Sequence, residues 1–225
     1  MRLFLSRLHY PVTTLGPGRR VGIWFQGCSL HCPGCISVDT WAHGQGETTV
    51  AEVMRTVAPW LTEADGITLS GGEPFEQVDA LQALLEALRR EIGPGKDILI
   101  YSGQLWEKIA PHLSRWPGLA DAVISDPFLR SAPQTLAWRG SDNQRLHLLS
   151  PLGHERYTAW QQALRDALPK ALDVCFEGDT LWMAGIPDPG SLALIQRTLA
   201  EAGYASTATD GSLEGPSSIS VPVFA

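Results

Sequence analysis

Residues 66–101 read GITLSGGEPFEQVDALQALLEALRREIGPGKDILIY, and the fold turns on this stretch. Gly66-Ile67-Thr68-Leu69-Ser70 is a short β-rich run that stops at Gly71-Gly72-Glu73-Pro74. From Phe75 to Ile92 the apolar residues Val78, Leu81, Leu84, Leu85 and Leu88 fall at helical spacing, and Gly93-Pro94-Gly95 ends the run. Asp97-Ile98-Leu99-Ile100-Tyr101 then reads as a strand of the buried type. Strand, helix and strand in this order predict a right-handed βαβ crossover and a parallel sheet.

The same alternation extends outward. Arg20-Val21-Gly22-Ile23-Trp24-Phe25 reads as an earlier strand. Thr49 and Glu52 have capping-box spacing, which predicts a helix from Val50 toward Ala58, interrupted at Pro59. Downstream, Leu105 to Leu113 reads as a short helix and Ala120 to Ile124 as a further strand. In such sheets ligands collect at the carboxyl ends of the strands. After Arg145-Leu146-His147-Leu148-Leu149-Ser150 the character changes: Tyr157 to Ala167 reads as helix, Leu172 to Glu177 and Thr180 to Gly185 flank Gly178-Asp179 as a hairpin, and Pro189 to Ala202 closes with an amphipathic helix. The expected organisation is a first domain over residues 1–150, an α+β add-on over 151–204, and a flexible tail over 205–225 that is rich in Ser, Thr, Gly and Pro. No internal repeat is evident.

Composition narrows the class. The chain has 225 residues, 44% of them hydrophobic, so it can bury a core without a disulfide scaffold. A net charge of −7 is the wrong sign for a bulk nucleic-acid binder. Apolar runs are broken too often for a membrane span, and the Met1-to-Arg7 start is too short for a signal-peptide core. A cytoplasmic protein is expected. Trp24, Trp60 and Trp182 lie in element-like segments and read as core. His147 and His154 carry no usable pattern.

Three of the four cysteines lie in Cys28-Ser29-Leu30-His31-Cys32-Pro33-Gly34-Cys35. Their spacing would put all three on one helical face as a stripe of small core residues, but Pro33 and Gly34 argue against a helix. In a loop, three thiolates can wrap one centre. Zinc would require a fourth ligand, for which His31 and His43 are candidates. An iron–sulfur cube held by three thiolates would keep one iron without a protein ligand, an arrangement suited to chemistry. Cys175 sits in a predicted strand and reads as a small buried hydrophobe.

Ser70-Gly71-Gly72-Glu73-Pro74 by itself is an ordinary strand-to-helix turn with Pro near the first helical position. Its functional reading is that glycines admit a ligand close to the backbone, while carbonyls and a carboxylate offer only acceptors, as an ammonium group requires.

Together, the cysteine loop after one strand and Gly-Gly-Glu-Pro after the next resemble the radical S-adenosylmethionine superfamily. Gln26-Gly27-Cys28, Cys32-Pro33-Gly34-Cys35, Asp39-Thr40-Trp41, Tyr101-Ser102-Gly103, Asp126-Pro127-Phe128 and Trp138-Arg139-Gly140-Ser141-Asp142-Asn143-Gln144-Arg145 are similar, more narrowly, to the glycyl-radical-enzyme activases that serve anaerobic ribonucleotide reductases. Gly34, where other members of the superfamily are often aromatic, agrees with this branch. The resemblance covers residues 1 to about 150, and the chain continues beyond the point where such activases typically end. It implies an α/β fold, an incomplete (β/α) barrel of mostly parallel strands carrying the small C-terminal α+β add-on.

By the same resemblance, Cys28, Cys32 and Cys35 hold a [4Fe–4S] cluster, and Gly34, Gly71, Gly72, Glu73 and Pro74 lie at the S-adenosylmethionine site. Ser102, Ser125 and Asp126 are candidates for the ribose, and Arg139, Asn143 and Gln144 form a polar cluster that either contacts ligand or caps the last turn through backbone hydrogen bonds. The implied reaction is reductive cleavage to a 5′-deoxyadenosyl radical and hydrogen abstraction from a glycine of a glycyl-radical enzyme. The implied electron donor is a flavodoxin or ferredoxin. Radical modification of a peptide or small molecule, and a non-catalytic iron–sulfur protein, are the alternatives.

Overall fold

The computed structural model describes residues 1–177, 180–188, 190–201, 203–204, 207–208, 220–221 and 223–224. In chain order the elements are β1 (Arg2–Val12), β2 (Arg20–Phe25), β3 (Glu47–Thr49), α1 (Val50–Leu61), β4 (Gly66–Gly71), α2 (Val78–Glu91), β5 (Asp97–Tyr101), α3 (Trp106–Arg115), β6 (Ala122–Ser125), β7 (Arg145–Leu148), α4 (Pro151–Tyr157), β8 (Leu172–Glu177), β9 (Thr180–Gly185), α5 (Ser191–Glu201), β10 (Thr207–Ala208), β11 (Ser220–Val221) and β12 (Val223–Phe224).

Seven strands form one sheet in the order β3-β1-β2-β4-β5-β6-β7. The central four, β2, β4, β5 and β6, run parallel, joined by helical crossovers as the sequence predicts. The outer pairings of β1 with β2, β1 with β3 and β6 with β7 are antiparallel. The sheet is therefore α/β with a parallel centre, and it is open, with β3 and β7 at its edges. Among the described residues no helix is long and apolar enough to cross a membrane.

Both faces of the sheet are covered, which is why all six residues of β2 are buried. Val21, Ile23, Ile67, Leu69, Ile98 and Ile100 meet the apolar stripes of α1, α2 and α3 on one face. On the other, Trp24 packs with Val12, Leu15, Trp182 and Ala184, while Leu99, Ala122 and Ile124 pack with Trp138, Leu146 and Tyr157. The hairpin β8–β9, the chain around Trp138 and the short helix α4 thus cover this second face.

The amino ends of the parallel strands are tied by charge. Arg20, Gly66 and Asp97 stand side by side at the starts of β2, β4 and β5. Arg20 and Asp97 are fully buried and ion-paired at 2.7 Å, and Arg156 meets the other carboxylate oxygen at 2.6 Å. The Tyr157 hydroxyl also donates to Asp97. Gly66 makes room for the pair, since a Cβ there would stand 2.6 Å from the Arg20 guanidinium.

Several predicted boundaries move. Thr49 and Glu52 form the capping box, but α1 continues through Pro59 to Leu61. Proline in a last turn removes one bond near a terminus, and buried Val57 and Leu61 hold that turn to the core. The helix expected over Tyr157 to Ala167 lies earlier, at Pro151–Tyr157, where Ser150 caps the Gly153 N–H and Pro151 occupies the first turn. Residues 158–160 and 165–167 are single 3₁₀ turns. β1 was not foreseen as a strand. Gly178, Asp179, Pro189, Ala202 and most of 205–225 lie outside the described residues, although β12 pairs parallel with β9.

Candidate functional site

The loop after β2 is fastened before its first cysteine. Gly27, at φ +100°, donates its N–H to Thr40 O at 2.7 Å, and the Cys28 N–H reaches Trp41 O at 3.1 Å. The Gln26 side chain holds Ala42 O at 2.7 Å. Cys28 is buried, and Cys32 and Cys35 are half-buried. Backbone N–H groups of Leu30 and His31 face the Cys28 sulfur, that of Phe128 faces Cys32, and that of Ser37 lies 3.4 Å from Cys35. Burial pushes all three thiols up, Cys28 to about 11, so they stay protonated until a metal displaces the proton.

This donor set fits an iron–sulfur cluster, whose sulfur ligands carry negative charge that directed N–H groups stabilise. Gly34 takes φ +80° in the tight turn between Cys32 and Cys35 and faces Phe128 and Arg130. The candidate fourth ligands for zinc are engaged elsewhere: His31 stacks on Trp41 with centroids 4.4 Å apart, and His43 faces Ser29 and Glu76. Among the described residues no three His, Cys, Asp or Glu side chains are gathered within reach of a single metal ion. Cys175 packs into the apolar layer around Trp24 and Trp182.

Gly-Gly-Glu-Pro follows β4, directly beside this loop. A Cβ on Gly71 would fall on the Phe25 backbone, and one on Gly72 would fall on the Gly27 carbonyl. The Gly72 N–H donates to Phe25 O and the Glu73 N–H to Gly27 O, each at 2.8 Å. The glycines therefore also accommodate the chain's own backbone. Gly72→Val should dislodge the turn that carries Cys28. Iron content after anaerobic reconstitution should fall to less than about half of the wild-type value, the scale of effect expected from forcing a side chain into a closed backbone contact; retention of full iron would show that the turn tolerates the displacement.

Glu73 is fully buried. Its carboxylate accepts from the Phe75 N–H at 2.9 Å, the Ser102 hydroxyl at 2.9 Å and the Gly103 N–H at 2.8 Å. Burial outweighs these bonds and pushes its pKa up to about 7. Glu73 thus clamps the end of β4 to the end of β5 and caps the 3₁₀ turn Pro74–Glu76.

The ribose candidates have protein partners too. The Ser102 hydroxyl is turned onto Glu73, and the Ser125 hydroxyl donates to Asp126 at 2.9 Å and lies 2.9 Å from His147 Nε2. Asp126, at φ +84°, meets Arg145 through both oxygens at 2.6 and 2.9 Å. Burial would raise its pKa, but the Arg145 guanidinium outweighs burial and holds it below the usual carboxylate range. Gln144 bonds the Gly140 N–H at 2.7 Å and Asp126 O at 3.0 Å, and Asn143 bonds Pro127 O at 2.8 Å. These two cap the loop through the backbone. Arg139 is buried and reaches Gln161 O at 2.9 Å. Sequence reasoning missed the roles of Arg145, His147 and Gln26 as partners of Asp126, Ser125 and Ala42, which exist only through space.

The loop that carries three cysteines thus follows β2 at the carboxyl end of the parallel sheet, beside the turn after β4. Residues 14–147 match the family described as the 4Fe–4S single cluster domain. The chain belongs to this family. It is 31% identical over 149 residues to the anaerobic ribonucleoside-triphosphate reductase-activating protein of Salmonella typhi, covering 63% of this chain and 96% of that one. The protein of that name from Escherichia coli K12 is 30% identical over the same shares, and that of Enterobacteria phage T4 is 30% identical over 58% of this chain and 85% of its own.

Proposed function

We propose that this protein is a radical S-adenosylmethionine enzyme that activates a glycyl-radical enzyme, an anaerobic ribonucleotide reductase. The observation that carries the reading is the main-chain union of the cysteine loop with Gly-Gly-Glu-Pro at the carboxyl ends of neighbouring strands β2 and β4. Cys28, Cys32 and Cys35 hold the [4Fe–4S] cluster, and the backbone acceptors of residues 71–74 lie where a methionyl ammonium would bind. When bound and reduced, the cluster with S-adenosylmethionine supplies a 5′-deoxyadenosyl radical that takes hydrogen from a glycine Cα.

The chain's own residues prepare that site. Glu73 and Glu76 set a negative potential beside the cysteines, which favours a cationic cofactor over a neutral one. Ser102 holds the Glu73 carboxylate, and Arg145 with Ser125 holds Asp126, so these residues position the rim of the cofactor site. Residues 1–150 carry the chemistry on an open sheet read as an incomplete (β/α) barrel, with 151–204 as the α+β extension. A reducing, cytoplasmic setting and a flavodoxin or ferredoxin electron donor complete the reading.

The test is anaerobic. Reconstituted and reduced full-length protein should convert S-adenosylmethionine to 5′-deoxyadenosine and methionine, and on addition of an anaerobic ribonucleotide reductase should generate the doublet of a glycyl radical in its electron paramagnetic resonance spectrum. A stable cluster with no 5′-deoxyadenosine would leave an electron carrier and overturn the proposal. Cleavage without a glycyl signal would move the substrate to a peptide or small molecule.

A further inference from the structure

The relatives named above match 58–63% of this chain, and the family match ends at 147, whereas the chain runs to 225. The hairpin and helix beyond that point do not stand apart from the site. Met183 of β9 is buried, and the residues around it are Leu172, Leu192, Ile195, Leu199 and Ile36. Ile36 directly follows Cys35. An apolar cluster built almost wholly from the extension therefore closes on the residue adjoining the third cysteine.

The rest of the extension is anchored where it can transmit that contact. Asp173 accepts from the Thr13 N–H at 2.6 Å and the Thr13 hydroxyl at 2.7 Å, and the Thr14 hydroxyl reaches Ala184 O at 2.9 Å. Trp182 is buried against Trp24 of the central sheet, and its ring meets His9 edge-on at 3.6 Å between centroids. The hairpin is thus bolted to the turn after β1 and to β2, and only its Met183 side and α5 face Ile36. On the loop's other flank, Ser37 and Thr40 are buried, with the Thr40 hydroxyl bonded to Ser37 O at 2.7 Å. Ile36 sits between a fixed turn and the extension's apolar cluster.

We infer that the extension is a built-in support of the cysteine loop, with Met183 and Leu192 as positioning residues that hold Ile36, and through it Cys35, in the ligating conformation. Apolar packing at one residue fixes its neighbours' backbone, because each buried methylene lost leaves a cavity that the loop relaxes into. Loosening should therefore be local to the Cys35 end, with Cys28, fastened to Trp41 through its own N–H and to Thr40 through that of Gly27, left in place.

The experiment uses the full-length chain and has one arm without metal. In apo protein, iodoacetamide alkylation of each cysteine is followed by mass spectrometry for wild type, Met183→Ala, the milder Leu192→Ala, and Leu194→Ala, which removes an exposed side chain of the same helix. Met183→Ala should raise the Cys35 rate about tenfold, the factor for about 1.4 kcal/mol of lost packing, with Cys28 and the Leu194→Ala control unchanged. In reconstituted protein the same variants should lose their visible absorption to a chelator faster, in the same order. This second arm rests on the cluster assignment of the proposed function, whereas the alkylation arm does not. Unchanged Cys35 alkylation in both folded variants would overturn the inference. So would an equal rise at Cys28, which signals general loosening, and should Met183→Ala fail to fold, Leu192→Ala decides by the same criteria.

Discussion

Alanine at Cys28, Cys32 or Cys35 should each abolish the visible charge-transfer absorption of the anaerobically reconstituted protein, while Cys175→Ala leaves it intact. A cube held by two thiolates is poorly retained, and no other cysteine is in the loop to replace the lost one. Cys175 instead faces the apolar layer behind the sheet, so its removal should cost only packing, about 1 kcal/mol. Absorption surviving in any of the three loop variants, or vanishing in Cys175→Ala, would require a different ligand set.

Asp97→Asn should destabilise the protein by about 3–5 kcal/mol, because it leaves the Arg20 guanidinium buried without its counter-charge. Urea unfolding of the apo protein measures this directly, and a thermal midpoint lower by roughly 10 °C is expected for a chain of this size. The variant should also lose part of the acid sensitivity. Burial would raise the Asp97 pKa, but Arg20, Tyr157 and Arg156 outweigh burial and hold it low. A depressed carboxylate contributes stability that is present above its unfolded pKa of about 3.9 and fades as pH falls through the lower folded value. Wild type should therefore weaken more steeply than the variant below about pH 4. Equal stability of the two proteins at pH 7 would show that the ion pair contributes nothing net.

The sheet was largely legible because its parallel core is made of local βαβ units. Each of β4, α2 and β5 carries its own period and its own stop, and the capping box at Thr49 is a short-range pattern. β1 escaped because only its first residues alternate in burial before a long half-buried stretch, so its strand character comes from pairing with β2 and β3. The α4 helix escaped although Ser150-Pro151 is a start pattern, since Gly153 inside it weakens the helical reading. That glycine is required because a side chain there would fall on the Asp121 carbonyl.

In the site, the cysteine spacing was legible as residue chemistry, and the family resemblance supplied Gly-Gly-Glu-Pro. What the sequence could not convey is how many of the polar groups are already committed. Glu73 and Asp126 look like free acceptors in a string of letters, yet one is closed over Ser102 and Gly103 and the other over Arg145. Gly71 and Gly72 similarly look like an opening and prove to be a seam between two loops.

The contact of Met183 with Ile36 also sets an order of events during synthesis. The two residues are 147 positions apart in the chain. At about 5–20 residues per second, the cysteine segment leaves the ribosome roughly 7–30 s before the residues that will wall it in. For that interval Ile36 lacks the apolar cluster it later packs against, so, on the inference above, the Cys35 end of the loop is looser in the nascent chain than in the finished one.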